Sequence, residues 1–323
     1  MTTKNNNFMG IDVSKATLDI SVRGKHIKIN NSRAAINSFI NGQLAGVDIR
    51  LCVLESTGGY ERLVITMLNE ANIPVHRAHP NKVYAFAKAC GHFAKTDKLD
   101  SKLLEKYAEF IKDKNVVCIE LTKELIDLQG LRAVQKNLER ELHANQCRAK
   151  LLSGKAVDYI KEEIEFNKKQ LRSIENDIEE LICRNKELRK KRQTLISYKG
   201  IGKKIANSLI AELPELGSLS NKEVASLVGV APKTNESGKK VWKGHISGGR
   251  FFVRKTLYMA ALVAAFSNDK MKKKYKELIE KGKAAKVALT AIMRKIIVCL
   301  NAMIKNNKLY GVCPIDCVNS HKL

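Results

Sequence analysis

The chain has 323 residues, enough for two or three domains, and its 44% hydrophobic and 28% charged residues are ordinary for a folded protein. Its charge is not ordinary: 58 Lys and Arg against 33 Asp and Glu leave +25, which predicts a polyanionic partner, nucleic acid before an anionic membrane surface. No apolar run approaches the roughly 20 residues that span a bilayer, no signal peptide is evident, and eight cysteines without framework spacing point to a reduced, cytoplasmic setting.

After a polar start, residues 8 to 30 read as three short strands: Phe8 to Val13, Leu18 to Val22 and Ile27 to Ile29, with Arg23-Gly24-Lys25 as a turn. Arg33 to Ile40 reads as a helix. Asp48 to Leu54 is a fourth strand that runs straight into Glu55, Gly58-Gly59 breaks it, and a helix follows through Asn69. Ile73 to His76 is a fifth strand, and Asn81 to Ala89 is helical. That order implies a mixed sheet with helices packed on it.

Asp12 and Glu55 stand at the ends of apolar strands, where open α/β sheets place ligand-binding groups. An unpaired carboxylate there costs several kcal/mol. In Ala94-Lys95-Thr96-Asp97-Lys98-Leu99-Asp100-Ser101 a helix starting near Thr96 puts Asp97 and Asp100 on one face, one turn apart. Taken alone, this stretch is a capped helix start with acids favoured by the helix dipole. Four acids around one point instead suit Mg²⁺, and two such ions about 4 Å apart can clamp both oxygens in phosphoryl transfer.

Gly10-Ile11-Asp12-Val13-Ser14-Lys15, Glu55-Ser56-Thr57-Gly58-Gly59-Tyr60 and Lys95-Thr96-Asp97-Lys98-Leu99-Asp100 resemble three successive motifs of one family. It is that of bacterial insertion-sequence transposases with a DEDD motif, which also contains site-specific pilin-gene invertases. The resemblance implies a ribonuclease-H-like, Holliday-junction-resolvase-like domain over residues 1–115. It also implies that Asp12, Glu55, Asp97 and Asp100 form a metal-binding tetrad, with Lys95 beside them on the nucleic acid.

From Thr122 to Arg192 the chain is almost free of Pro and Gly. Ile160, Ile164, Asn167, Leu171, Ile174, Ile178, Leu181, Asn185 and Leu188 alternate in steps of 4 and 3, a heptad seam with Asn at two core positions. Leu128, Leu131, Gln135, Leu138 and Leu142 form a weaker seam. Residues 116–192 are therefore expected to be a helical coiled coil turning at Ser153-Gly154. A buried Asn fixes register and oligomer number, which favours a dimer contact here over an intramolecular hairpin.

Residues 193–310 read as a mainly α-helical domain, with a tail at 311–323. Gly200-Ile201-Gly202 between two helical patterns reads as a helix-hairpin-helix turn, whose backbone, with Lys203 and Lys204, can hold a phosphate. Asn221 to Val228 is a short helix capped by Ser220. Gly229 to Lys240 and His245 to Arg250 read as a Gly-rich, basic loop, with Lys239, Lys240, Lys243, Arg250 and Arg254 as nucleic-acid contacts. Trp242 can stack on a base. Ser237 taken alone is a loop serine: its basic flank could stabilise charge on a phosphodiester, but no base is evident. Phe251 to Phe266 and Ala284 to Ile304 are apolar packing helices around a basic run, Lys270 to Lys274. Cys313 and Cys317 belong to the tail.

The Ala-Pro…Ser-Gly segment, the Gly-Gly-Arg segment and Leu257-Tyr258-Met259-Ala260-Ala261 resemble the family's C-terminal transposase domain, although Lys199 stands where the family often has proline. The resemblance implies that Ser237 is a nucleophile that joins covalently to a DNA end, assisted by the acidic tetrad and Mg²⁺, two ions in number. It also makes a guide RNA encoded by the element a plausible partner, alongside a homo-oligomer and a cytoplasmic, nucleoid-associated setting. Two other classes are weighed against this recombinase. One is a metal-dependent nuclease that hydrolyses branched DNA; the other is a non-enzymatic architectural DNA-binding protein.

Overall fold

The computed structural model describes residues 7–91, 97–113, 116, 118–233, 236–237, 240–241 and 244–311. The side chains of residues 97–99, 236, 237, 240 and 241 lie outside that description. By contact the chain divides into two compact units, Met1–Lys123 and Glu124–Leu323.

The first unit is built on a five-stranded sheet of β1 (Asn7–Val13), β2 (Thr17–Val22), β3 (Lys25–Asn30), β4 (Ile49–Glu55) and β5 (Val75–Ala78). The spatial order is β3-β2-β1-β4-β5. β1, β2 and β3 pair antiparallel, whereas β4 and β5 run parallel to β1. Arg23 and Gly24 both have positive φ, 54° and 73°, the conformation that closes a two-residue hairpin between twisted strands. The parallel pairs need crossovers. α1 (Arg33–Gly42) and α2 (Arg62–Glu70) supply them, followed by α3 (Pro80–Ala89) and α4 (Asp97–Ile111). One sheet face, with Phe8, Leu51, Val53 and Ala78, packs on Leu103, Leu104, Tyr107, Ala108 and Ile111 of α4. The opposite face, with Met9, Ile11, Cys52 and Leu54, is buried as well.

The second unit is mostly helical. α5 (Lys123–Ala149) and α6 (Lys155–Arg184) form a hairpin within the chain, turning at Gly154 (φ 62°) as the sequence predicts. Gln135 Nε2 donates to Glu175 (3.2 Å), and Asn145 Nδ2 to Glu163 (2.9 Å), so the two helices run side by side. Ile164, Asn167, Ile174 and Ile178 of the seam are buried in the single chain. The seam that the sequence assigns to a dimer contact is thus covered internally. It also stops early: Asn185 ends α6 and caps α7 (Lys186–Ile196), its Oδ1 accepting from the Leu188 backbone at 3.0 Å. A short polar side chain that can bond its own backbone favours such a cap over a helix core.

α8 (Lys203–Glu212) follows the Gly200–Gly202 turn, and α9 (Asn221–Val228) begins with a capping box of Ser220 and Glu223. The segment expected as a loop is instead two nested antiparallel pairs. β6 (Pro232–Lys233) pairs with β9 (His245–Ile246), and β7 (Glu236–Ser237) with β8 (Lys240–Val241). α10 (Phe251–Ser267), α11 (Asp269–Glu280) and α12 (Ala285–Lys305) complete the unit. α12 is long and apolar enough to cross a bilayer by length and composition, contrary to the sequence expectation. Half of its apolar window is buried in the protein, where Ala288, Ile292, Ile296, Leu300 and Met303 join the core.

Candidate active site

α4 runs antiparallel to β1 and β4. Its C-terminal end meets the start of β4, where Arg50 Nη2 donates to the Lys112 carbonyl at 3.3 Å, and its N-terminal end therefore points to the end carrying Glu55. Contact at mid-length is backbone to backbone. A Cβ on Gly10 would lie 2.2 Å from both the Ser101 carbonyl oxygen and the Glu105 nitrogen, so glycine alone permits this approach. Asp12 is two residues further along the same strand face, about 6.7 Å, which matches about 4.5 residues of helix. Counting back from 101–105 brings Asp12 level with residues 97–100 of α4.

Glu55 joins them by register. Gly10 pairs with Val53 and Ile11 with Leu54, so the next position sets Asp12 beside Glu55 on parallel neighbouring strands, facing α4. Asp12, Glu55 and Asp100 are all half-buried. The fold thus brings Asp12, Glu55 and Asp100 to one end of one sheet face. Asp97 opens the same helix, with its side chain outside the described residues, as is Lys95. Among the described residues no three His, Cys, Asp or Glu side chains are grouped closely enough to hold a metal. The donor chemistry itself is all oxygen and fits Mg²⁺ or another hard divalent cation. A cleft of about 550 Å³ between β3 and α1 is lined by residues such as Lys28, Asn30, Phe39 and Gln43, and none of the four acids borders it.

Three polar residues around these acids escaped the sequence reading. Asp19 lies directly across the β1–β2 pair from Asp12, an arrangement of like charges that is unfavourable unless one is neutralised. Asp19 is buried and spent on His26 Nε2 (2.8 Å) and Lys28 Nζ (3.2 Å). Glu61, 2% exposed, accepts from the Gly59 N–H (2.8 Å), the Thr57 N–H (3.3 Å) and the Thr57 hydroxyl (3.0 Å). Burial pushes the Glu61 carboxyl up, but the backbone and Thr57 hydrogen bonds and nearby Arg77 outweigh burial and hold it below the ordinary glutamate value. Asn31 Nδ2 donates to the carbonyls of Ser14 (3.0 Å) and Tyr60 (3.1 Å). The only signal for Glu61 in the sequence is an acid two residues after a Gly-Gly break.

In the second unit Ser237, the last residue of β7, pairs with Lys240, the first of β8. Its side chain, that of Lys240, and the whole of Lys239, Lys243 and Trp242 lie outside the described residues. The base of the hairpin is closely fixed. A Cβ on Gly249 would lie 2.3 Å from the Gly229 nitrogen, and both glycines have positive φ, 72° and 76°. Arg254 Nη1 donates to the Gly248 carbonyl. Arg250, expected on the nucleic-acid face, turns inward: it donates to buried Glu215 (2.7 Å) and the Glu212 carbonyl (2.8 Å). Lys203 and Lys204 occupy the first turn of α8 as expected, but each faces a carboxylate of the α5–α6 hairpin. Lys203 lies 3.6 Å from Glu179, and Lys204 pairs with Glu139.

Comparison with known proteins finds two matching stretches. A transposase profile of the IS110 DEDD type matches residues 9–153, and a second, described as transposase of the IS116/IS110/IS902 family, matches residues 192–276. The pilin gene-inverting proteins of Moraxella lacunata and Moraxella bovis are each 26% identical over 318 residues, covering 93% of this chain and 96% of the relative. The acid-bearing sheet falls within the first match and the base of the serine hairpin within the second. The chain is therefore similar in succession to two transposase domains of the IS110 type, and its activity is that of a DNA transposase or recombinase.

Proposed function

We propose that this enzyme cuts and rejoins DNA through a covalent phosphoserine at Ser237, with Asp12, Glu55, Asp97 and Asp100 as the acids that assist. The observation that carries this reading is the register and helix placement that bring Asp12, Glu55 and the start of α4 to one sheet end. The strand order β3-β2-β1-β4-β5 supports a ribonuclease-H-like first unit. In the covalent step a Ser237 Oγ–P bond forms as the P–O bond to the leaving sugar oxygen breaks; the Ser237 hydroxyl gives its proton to solvent and the leaving oxygen takes one up. Attack by a hydroxyl of the new partner strand reverses the step, so the bond energy is conserved and no ATP is needed. Mg²⁺ held by the four acids would neutralise charge on the phosphate.

The homo-oligomer and the guide RNA belong to the same reading, the former through a surface other than the buried α6 seam. A structured RNA would be held through its backbone by basic side chains, in a cytoplasmic setting. The test is a denaturing-gel search for a protein–DNA adduct. Wild type is expected to yield one, Ser237→Ala none and no recombined product; recombination by Ser237→Ala sinks the nucleophile. A hydrolytic nuclease would cleave without any adduct, and an architectural protein would be indifferent to Asp97→Asn.

A further inference from the structure

The loops that follow Asp12 and Glu55 are tied together and tied down by two side chains. Asn31, just past β3, places one amide nitrogen between the Ser14 and Tyr60 carbonyls, two residues beyond Asp12 and five beyond Glu55. Glu61 reaches back over the second loop to Thr57 and Gly59. Gly58 and Gly59 have φ of 77° and 123°, so their own backbone preferences fix this loop weakly. Arg77, next to Leu54 in the sheet register, stands 3.6 Å from Glu61. The loop leaving Glu55 is thus held from β3 on one side and β5 on the other.

From this geometry we infer that Asn31 and Glu61 are positioning residues of the acidic site, fixing the strand ends at which Asp12 and Glu55 stand and so setting their affinity for a divalent cation. The inference rests on reading Asp12 and Glu55 as cation ligands. Groups that orient ligands without touching the metal change affinity by about 10- to 100-fold when removed. The mechanism is geometric: a hard cation demands its oxygens at set distances, and a loosened strand end must be reordered each time the ion binds.

The experiment is a titration of the full-length protein with Mn²⁺ alone, followed by electron paramagnetic resonance, on Asn31→Ala, Glu61→Gln, Asp12→Asn and Glu55→Gln. The expected result is a rise of about 10-fold or more in the dissociation constant for Asn31→Ala and Glu61→Gln, with duplex-DNA affinity in chelator unchanged. Wild-type Mn²⁺ affinity in both, beside weakened Asp12→Asn and Glu55→Gln, overturns the inference. Wild-type affinity in Asp12→Asn and Glu55→Gln overturns the ligand reading itself, and the inference falls with it. Should Glu61→Gln fail to fold, Thr57→Val removes one hydroxyl donor and is expected to raise the constant about threefold. No change in either Thr57→Val or Asn31→Ala then counts against the inference.

Discussion

Two lysine-rich stretches of the second unit look alike in the sequence and differ in the fold. Around the Gly200–Gly202 turn, Lys203 and Lys204 face Glu179 and Glu139, and Arg250 is spent on Glu215. On α11, the turn after it and the start of α12, Lys270, Lys272, Lys273, Lys276, Lys281, Lys283 and Lys286 are exposed, and among the described residues none lies within 4 Å of a carboxylate; in this stretch Lys274 alone is paired, with Glu277 at 3.0 Å. Half-buried Lys295 on α12 is pushed below the ordinary lysine value first by burial and then by Lys274, against an opposing pull from Glu277. The first group holds the protein together. The second group faces outward. A net charge of +25 thus overstates what is offered at the first stretch and describes the second well.

The largest effect that would break this contrast is on stability. Arg250→Met leaves Glu215 buried without its partner and should cost about 3 kcal/mol in a denaturant titration; a neutral result would place Arg250 back among the available charges. Next comes DNA affinity. Lys272, Lys273 and Lys276 share the outward side of α11, and changing all three to Gln should weaken duplex binding roughly 10- to 100-fold and lower the salt-dependence slope by about 2 to 3. The double variant Lys203→Gln, Lys204→Gln should move that slope by less, and stability by at most about 1 kcal/mol, because both pairs are largely exposed. Equal slopes for the two variants would erase the distinction.

The smallest effect concerns pH, where the inward-facing charge is an acid. Glu61 is held below its ordinary value of 4.5, so its contribution is complete above that value and is lost as pH falls through the lower folded value. Unfolding midpoints of wild type and Glu61→Gln should therefore differ most above about pH 5 and converge in acid. A constant difference across that range would show that the Glu61 carboxylate charge is not what holds the loop.

Much of the first unit was legible because its signals are local. Apolar strands of period two, a Gly turn and two Gly breaks placed all five strands, and strand ends singled out Asp12 and Glu55. What the sequence could not express was direction. The antiparallel course of α4 depends on Gly10 meeting Ser101 and Glu105 across about 90 residues of chain. Glu61 and Asn31 act through backbone carbonyls and N–H groups, which carry no residue signature. The Asn185 error has a similar origin: heptad spacing does not distinguish an Asn inside a seam from an Asn that ends a helix. Ser237 was singled out by resemblance alone. The nested pairing around it was missed because each strand is two residues long, below the length at which alternation can be read.

Gly10 carries one further consequence. Asp12 and Glu55 sit on the sheet and Asp100 on α4, and the missing Cβ at position 10 sets the gap between sheet and helix. A methyl group there would act as a shim under the helix. It would lift the start of α4, with Asp100, away from Asp12 and Glu55 while leaving every acid in the chain. The smallest residue in the motif is thereby its gauge: identity at position 10 sets how closely α4 approaches the strand ends that carry Asp12 and Glu55.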